Sequence, residues 1–88
     1  VKKKAWKLIQ NGWTQGSMAR TKGGKPCSLK DASKVCLAGA VLRVYGIAVM
    51  NLFNESFSRS MGMGPVTWND APERKKSEVV KLLKEYNL

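Results

Sequence analysis

The chain contains no histidine and few acids: 6 aspartates and glutamates stand against 16 lysines and arginines over 88 residues, a formal charge of +10. The missing imidazole removes the usual general base, the usual base of a nucleophile triad and the commonest metal ligand together. Ser17 and Ser28 therefore have no histidine to activate them, and a lysine-activated serine, formally open, has no motif behind it. The acids are Asp31, Glu55, Asp70, Glu73, Glu78 and Glu85. Several fall at expected helix starts, where free amides and the helix dipole account for a carboxylate. No spacing among them suggests a catalytic pair.

Cysteine is scarce as well, with only Cys27 and Cys36. A secreted domain of this size would carry a fuller disulfide framework, and two thiols without histidine do not make a zinc site. The expectation is a pair of reduced structural cysteines in a cytoplasmic protein with no metal and no cofactor. Long apolar runs are absent too; none approaches the roughly 20 residues a bilayer requires, so no membrane partner is expected. The basic start, Val1-Lys2-Lys3-Lys4, is followed by an apolar stretch too short, and broken by Lys7, for a signal peptide. The first residue is not methionine, so a removed leader stays open.

What is present is the composition of a globular chain, 43 % hydrophobic with three tryptophans and four methionines, and its length fits one domain over residues 1–88. Apolar spacing predicts a helix over Lys2–Gln10 that buries Ala5, Leu8 and Ile9, stopped by a left-handed Asn11-Gly12. Between Thr14 and Leu29 the helical period vanishes. Gly23-Gly24 reads as a hairpin turn, with Pro26 limiting the return strand, or else as an irregular loop. Ser28 or Asp31 is expected to open a helix running from Ala32 to Tyr45 that is apolar nearly all round, with Cys36, Gly39 and Ala40 as a small face for another helix. Val49, Met50, Phe53 and Phe57 predict a third helix over Ile47–Ser60, and Val66-Thr67-Trp68 reads as extended. Asp70-Ala71-Pro72-Glu73 has the form of a capping box for a last helix reaching about Tyr86. The expected fold is α+β, mostly helical, with about four helices and a small β-hairpin between helices 1 and 2. Leu37, Val41, Phe53, Leu82 and Leu83 are its expected core.

Gly12-Trp13-Thr14-Gln15-Gly16, Ala19-Arg20, Cys36-Leu37-Ala38-Gly39-Ala40, and Trp68-Asn69-Asp70-Ala71-Pro72-Glu73-Arg74 with Glu78-Val79 together resemble an uncharacterised family of small actinobacterial and phage-borne domains. The resemblance spans most of the chain apart from the third helix. It implies a compact intracellular domain with no established activity. In that family a threonine often follows the arginine matching Arg74 as a helix cap; here the position is Lys75, so the cap is expected to move to Asp70.

The charge favours binding over chemistry. Basic residues cluster at Lys2, Lys3, Lys4 and Lys7; at Arg20, Lys22, Lys25, Lys30 and Lys34; and at Arg74, Lys75, Lys76, Lys81 and Lys84. A charge run is usually a solvated face, but this excess is too one-sided for solubility alone. Lysine outnumbers arginine, which suits diffuse attraction to phosphates more than bidentate base reading. The first expectation is therefore a non-enzymatic accessory protein, phage-encoded or from a mobile element, that holds nucleic acid nonspecifically through Arg20, Lys22, Lys25, Lys30, Lys34, Arg74, Lys75 and Lys76. The second is a modulator of an acidic host or phage protein. The third is a small-ligand domain with a pocket at Trp13, Gln15, Trp68 and Asn69. A packed tryptophan leading into a helix cap is the simpler account of that corner.

Overall fold

The computed structural model describes residues 4–88. The fold is α+β and mostly helical, in the order α1 (Ala5–Asn11), β1 (Ala19–Arg20), β2 (Lys34–Val35), α2 (Leu37–Tyr45), α3 (Ile47–Met61), α4 (Pro65–Asn69) and α5 (Lys76–Glu85). The Lys2–Lys3 start expected for the first helix lies outside the described residues. Ala5 and Ile9, one turn apart, are fully buried, and α1 packs chiefly on α5 and α2. Its first amide, that of Ala5, donates to the carbonyl of Leu88 at 2.7 Å, which also accepts from the Tyr45 hydroxyl at 2.6 Å.

Gly12 ends α1, but not through a left-handed turn. Its backbone is extended (φ −178°, ψ 109°), and a Cβ there would run into the Ser33 carbonyl. The glycine is required by close approach. That approach lets Val35 donate to the Gly12 carbonyl and accept from the Thr14 amide, so a parallel bridge joins Trp13 to Val35.

β1 and β2 pair antiparallel, Ala19 opposite Val35 and Arg20 opposite Lys34. The Gly23-Gly24 turn forms, with Gly24 donating to Thr21 at 2.9 Å and Thr21 to Lys25 at 2.8 Å. The return leg at Pro26 is a single bridge to Arg20, because proline has no N–H to extend a ladder. The chain makes one turn of 3₁₀ helix, Leu29–Asp31, and only then supplies the strand that closes the hairpin.

This detour moves the start of α2 from the expected Ala32 to Leu37. Lys34 and Val35 are extended in the sheet, and Cys36 is the N-cap, its Sγ accepting from the Gly39 amide at 3.3 Å. At Gly39 the small face of α2 meets a loop and not a helix. A Cβ on Gly39 would lie 2.5 Å from the Met18 carbonyl, so the backbone leading into β1 packs there instead. The short piece at Val66–Trp68, expected to be extended, is the helix α4, with Pro65 in its first turn where the missing N–H is not needed. Lys75, not Asp70, is the N-cap of α5, and the Lys75 amide donates to Glu78 Oε1 at 2.8 Å. An ammonium cannot accept a hydrogen bond, so only the Glu78 half of a capping box is made.

Leu37, Val41, Phe53, Leu82 and Leu83 are all buried in one cluster with Ile9, Phe57 and Val79, as expected from periodicity. Phe53 meets Tyr86 edge-on at 5.0 Å and Phe57 meets Trp68 at 5.7 Å, the offset geometry aromatic quadrupoles prefer. No helix of the described residues is long and apolar enough to cross a membrane.

Candidate functional site

α4 delivers Asn69 into the interior, where it is fully buried. Its Oδ1 accepts from Trp13 Nε1 at 2.7 Å and from the Leu37 amide at 3.1 Å. Its Nδ2 donates to the Thr14 carbonyl at 3.1 Å and to Asp70 Oδ1 at 2.9 Å. A carboxamide has two acceptor and two donor positions, and this one uses them all. Gln15 Nε2 donates to the carbonyls of Asn69 and Ala71, each at 2.8 Å, and Asp70 Oδ1 also accepts from the Gly16 amide at 3.1 Å. The structure thus brings Trp13, Gln15 and Asn69 together, with the Trp68 ring packed on Phe57, and ties the loop after α1, the start of α2 and the end of α4 to a single side chain.

Arg74 closes the same corner. Its guanidinium lies 3.7 Å from the centre of the Trp68 ring, Nε donates to the Trp68 carbonyl at 2.9 Å, and Nη1 is 3.6 Å from Glu78. Planar stacking with a directed N–H is arginine chemistry that lysine does not supply. The other arginines are engaged too. Arg20 donates to the carbonyls of Gly24 and Gln15, Arg43 to that of Ala32, and Arg59 pairs with Glu55 at 2.8 Å.

The lysines behave oppositely. Among the described residues no lysine ammonium is hydrogen-bonded to the protein or lies within 4.0 Å of a carboxylate. Lys22 and Lys25 are exposed at the tip of the Gly23-Gly24 turn, Lys30 is exposed on the 3₁₀ turn, and Lys34 is half-buried on β2. Lys75 and Lys76 are exposed where α5 begins.

A shallow groove of about 500 Å³ runs between α1 and α5, lined by Gln10, Lys76, Ser77, Val80, Lys81 and Lys84. Beside it the half-buried Trp6 has Lys84 Nζ 4.3 Å and Lys7 Nζ 5.7 Å from its ring centre, within the range of cation–π attraction. No acid lines the groove. A smaller cavity, about 200 Å³, opens beside Asp70 between Met18, Val66 and Cys36. Burial pushes the Cys36 thiol above its ordinary pKa, and both cysteines are free thiols.

The profile of a family of unknown function, DUF6197, matches residues 3–86. The chain belongs to this family. No curated protein and no solved structure matches it.

Within this DUF6197 member the expected site residues separate into two kinds. Trp13, Gln15, Asn69, Arg20 and Arg74 have their polar groups turned into the fold, whereas Lys22, Lys25, Lys30, Lys75 and Lys76 have theirs in solvent. Trp6, Gln10, Ser77 and Val80 were not singled out from the sequence. Their signal is spacing: Trp6 and Gln10 are four residues apart on α1, and Ser77, Val80, Lys81 and Lys84 follow the i, i+3, i+4, i+7 pattern of one helix face on α5.

Proposed function

We propose that this DUF6197 chain is a non-enzymatic accessory protein, cytoplasmic and carried by a bacterium, phage or mobile element, that binds nucleic acid through the phosphate backbone with little sequence preference. The observation that supports it is the division between cations. Every arginine makes a hydrogen bond or ion pair within the protein, three of them to backbone carbonyls, whereas no lysine ammonium among the described residues does; Lys7 and Lys84 only lie over Trp6. Free lysines attract phosphate as point charges and read no base pattern.

A mobility-shift titration tests this. Complexes with unrelated sequences should form at about micromolar protein in about 50 mM salt and weaken steeply toward about 200 mM, as condensed counterions are released. Lys22→Glu with Lys25→Glu should weaken binding to every sequence alike. Absence of a complex at low salt, or a complex indifferent to salt, overturns the reading. A second reading, an acidic protein partner, draws support from Ile47 and Leu52, exposed at 64 % and 69 % on α3. A pull-down that survives nuclease treatment would favour it.

A further inference from the structure

We infer that the groove between α1 and α5 seats single-stranded nucleic acid, with a base against Trp6 and phosphates along Lys76, Lys81 and Lys84. This rests on the nucleic-acid reading above and adds to it a location and a strand state.

The two walls supply complementary chemistry. α5 contributes Lys76, Lys81 and Lys84 with Ser77 and Val80 between them, and α1 contributes Gln10, with Trp6 alongside. The run from Lys76 to Lys84 is about 12 Å long at 1.5 Å per helical residue, enough for a stretch of polymer and too long for one phosphate. The acid within this stretch is turned away: Glu78 accepts from the Lys75 amide and faces Arg74. Nothing in the lining repels an anion.

Trp6 decides the strand state. Lys84 of the groove and Lys7 lie over its half-buried ring, so the ring sits at the edge of the groove among cations, and a base would stack there by displacing those ammonium groups toward its own phosphates. A duplex keeps its bases stacked inside and offers the protein mainly phosphate. A single strand can place a base on an aromatic face while its backbone follows a basic groove, the arrangement common to sequence-tolerant single-strand binders. Val80 and Trp6 give the base an apolar surface, and Gln10 and Ser77 offer hydrogen bonds that do not depend on charge.

The test measures fluorescence anisotropy of a labelled oligothymidine strand and of a duplex of equal length, at low salt, with the full chain and three variants. The wild type should bind the strand more tightly than the duplex. Lys81→Glu with Lys84→Glu should weaken strand binding by about tenfold, more than Lys22→Glu with Lys25→Glu does. Trp6→Leu should weaken it by about tenfold through lost stacking and leave the preference for strand over duplex abolished. Trp6 touches the core, so circular dichroism accompanies that variant; if it does not fold, the exposed lysine pair decides alone. Equal affinity for duplex and strand, a smaller loss from the groove pair than from the turn pair, or equal competition by poly-glutamate would each overturn this seat while the backbone reading stands. Absence of binding to both nucleic acids overturns both.

Discussion

At the α4 corner one side chain, Asn69, directs every hydrogen-bonding position it has into the protein. Along the α1–α5 groove Lys76, Lys81 and Lys84 direct none. From the sequence the corner is a candidate pocket, and Lys76, Lys81 and Lys84 are only members of a basic cluster. The difference is one of satisfaction. A buried polar group left unpaired is expensive, so a corner whose groups are all paired is explained by folding alone. Exposed ammonium groups gathered without acids gain nothing from one another, and their arrangement is not explained by stability.

The sharpest way to break this comparison is Asn69→Ala. It strands the Trp13 indole N–H, the Leu37 amide and the Thr14 carbonyl in the interior. A loss of about 3–5 kcal/mol is expected in urea unfolding; a loss within the ordinary surface range would mean the corner is not a clamp. Gly39→Ala comes next. The added methyl gains helix propensity but meets the Met18 carbonyl at 2.5 Å, so a net destabilisation of about 1–3 kcal/mol is expected from overpacking. An increase in stability would show that the β1 approach yields easily. Arg74→Lys keeps the charge and removes the stacked plane and the Nε donor to Trp68. A thermal melt should register a loss of about 1 kcal/mol. Lys81→Glu with Lys84→Glu should change stability by no more than about 0.5 kcal/mol. A larger drop would show that Lys84 over Trp6 holds the fold, and would make the two regions alike.

Where the apolar period was strong, the sequence reading matched the structure. Phe53 and Phe57 mark α3, and Val79, Leu82 and Leu83 mark α5, because a stripe repeated over several turns has one helical solution. The start of α2 was misplaced because Ala32, Val35 and Cys36 fit the helical spacing of the apolar residues that follow, and only pairing with Ala19 and Arg20, distant in sequence, holds Lys34 and Val35 extended. α4 is too short to show a period. The left-handed stop proposed at Gly12 failed for a similar reason, since the constraint comes from Ser33 across the fold. At the α4 corner the meeting of Trp13 and Gln15 with Asn69 was legible, but the completeness of the Asn69 network was not, because it depends on backbone groups that carry no residue identity. The groove was illegible from either helix alone: α5 supplies most of its lining, but Gln10 of α1 closes it across the fold.

That division has a consequence in time. α1, at 7 residues, is too short to persist as an isolated helix, and its main packing partner is the last helix of the fold. As the chain is synthesised, Trp6 emerges early and waits without a wall until Lys76–Glu85 has followed it. The groove therefore comes into being only once α5 has followed α1 out of the ribosome, in one contact between segments distant in sequence. A chain cut before α5 would carry much of the positive charge but no groove, so under the single-strand proposal it should bind oligothymidine poorly.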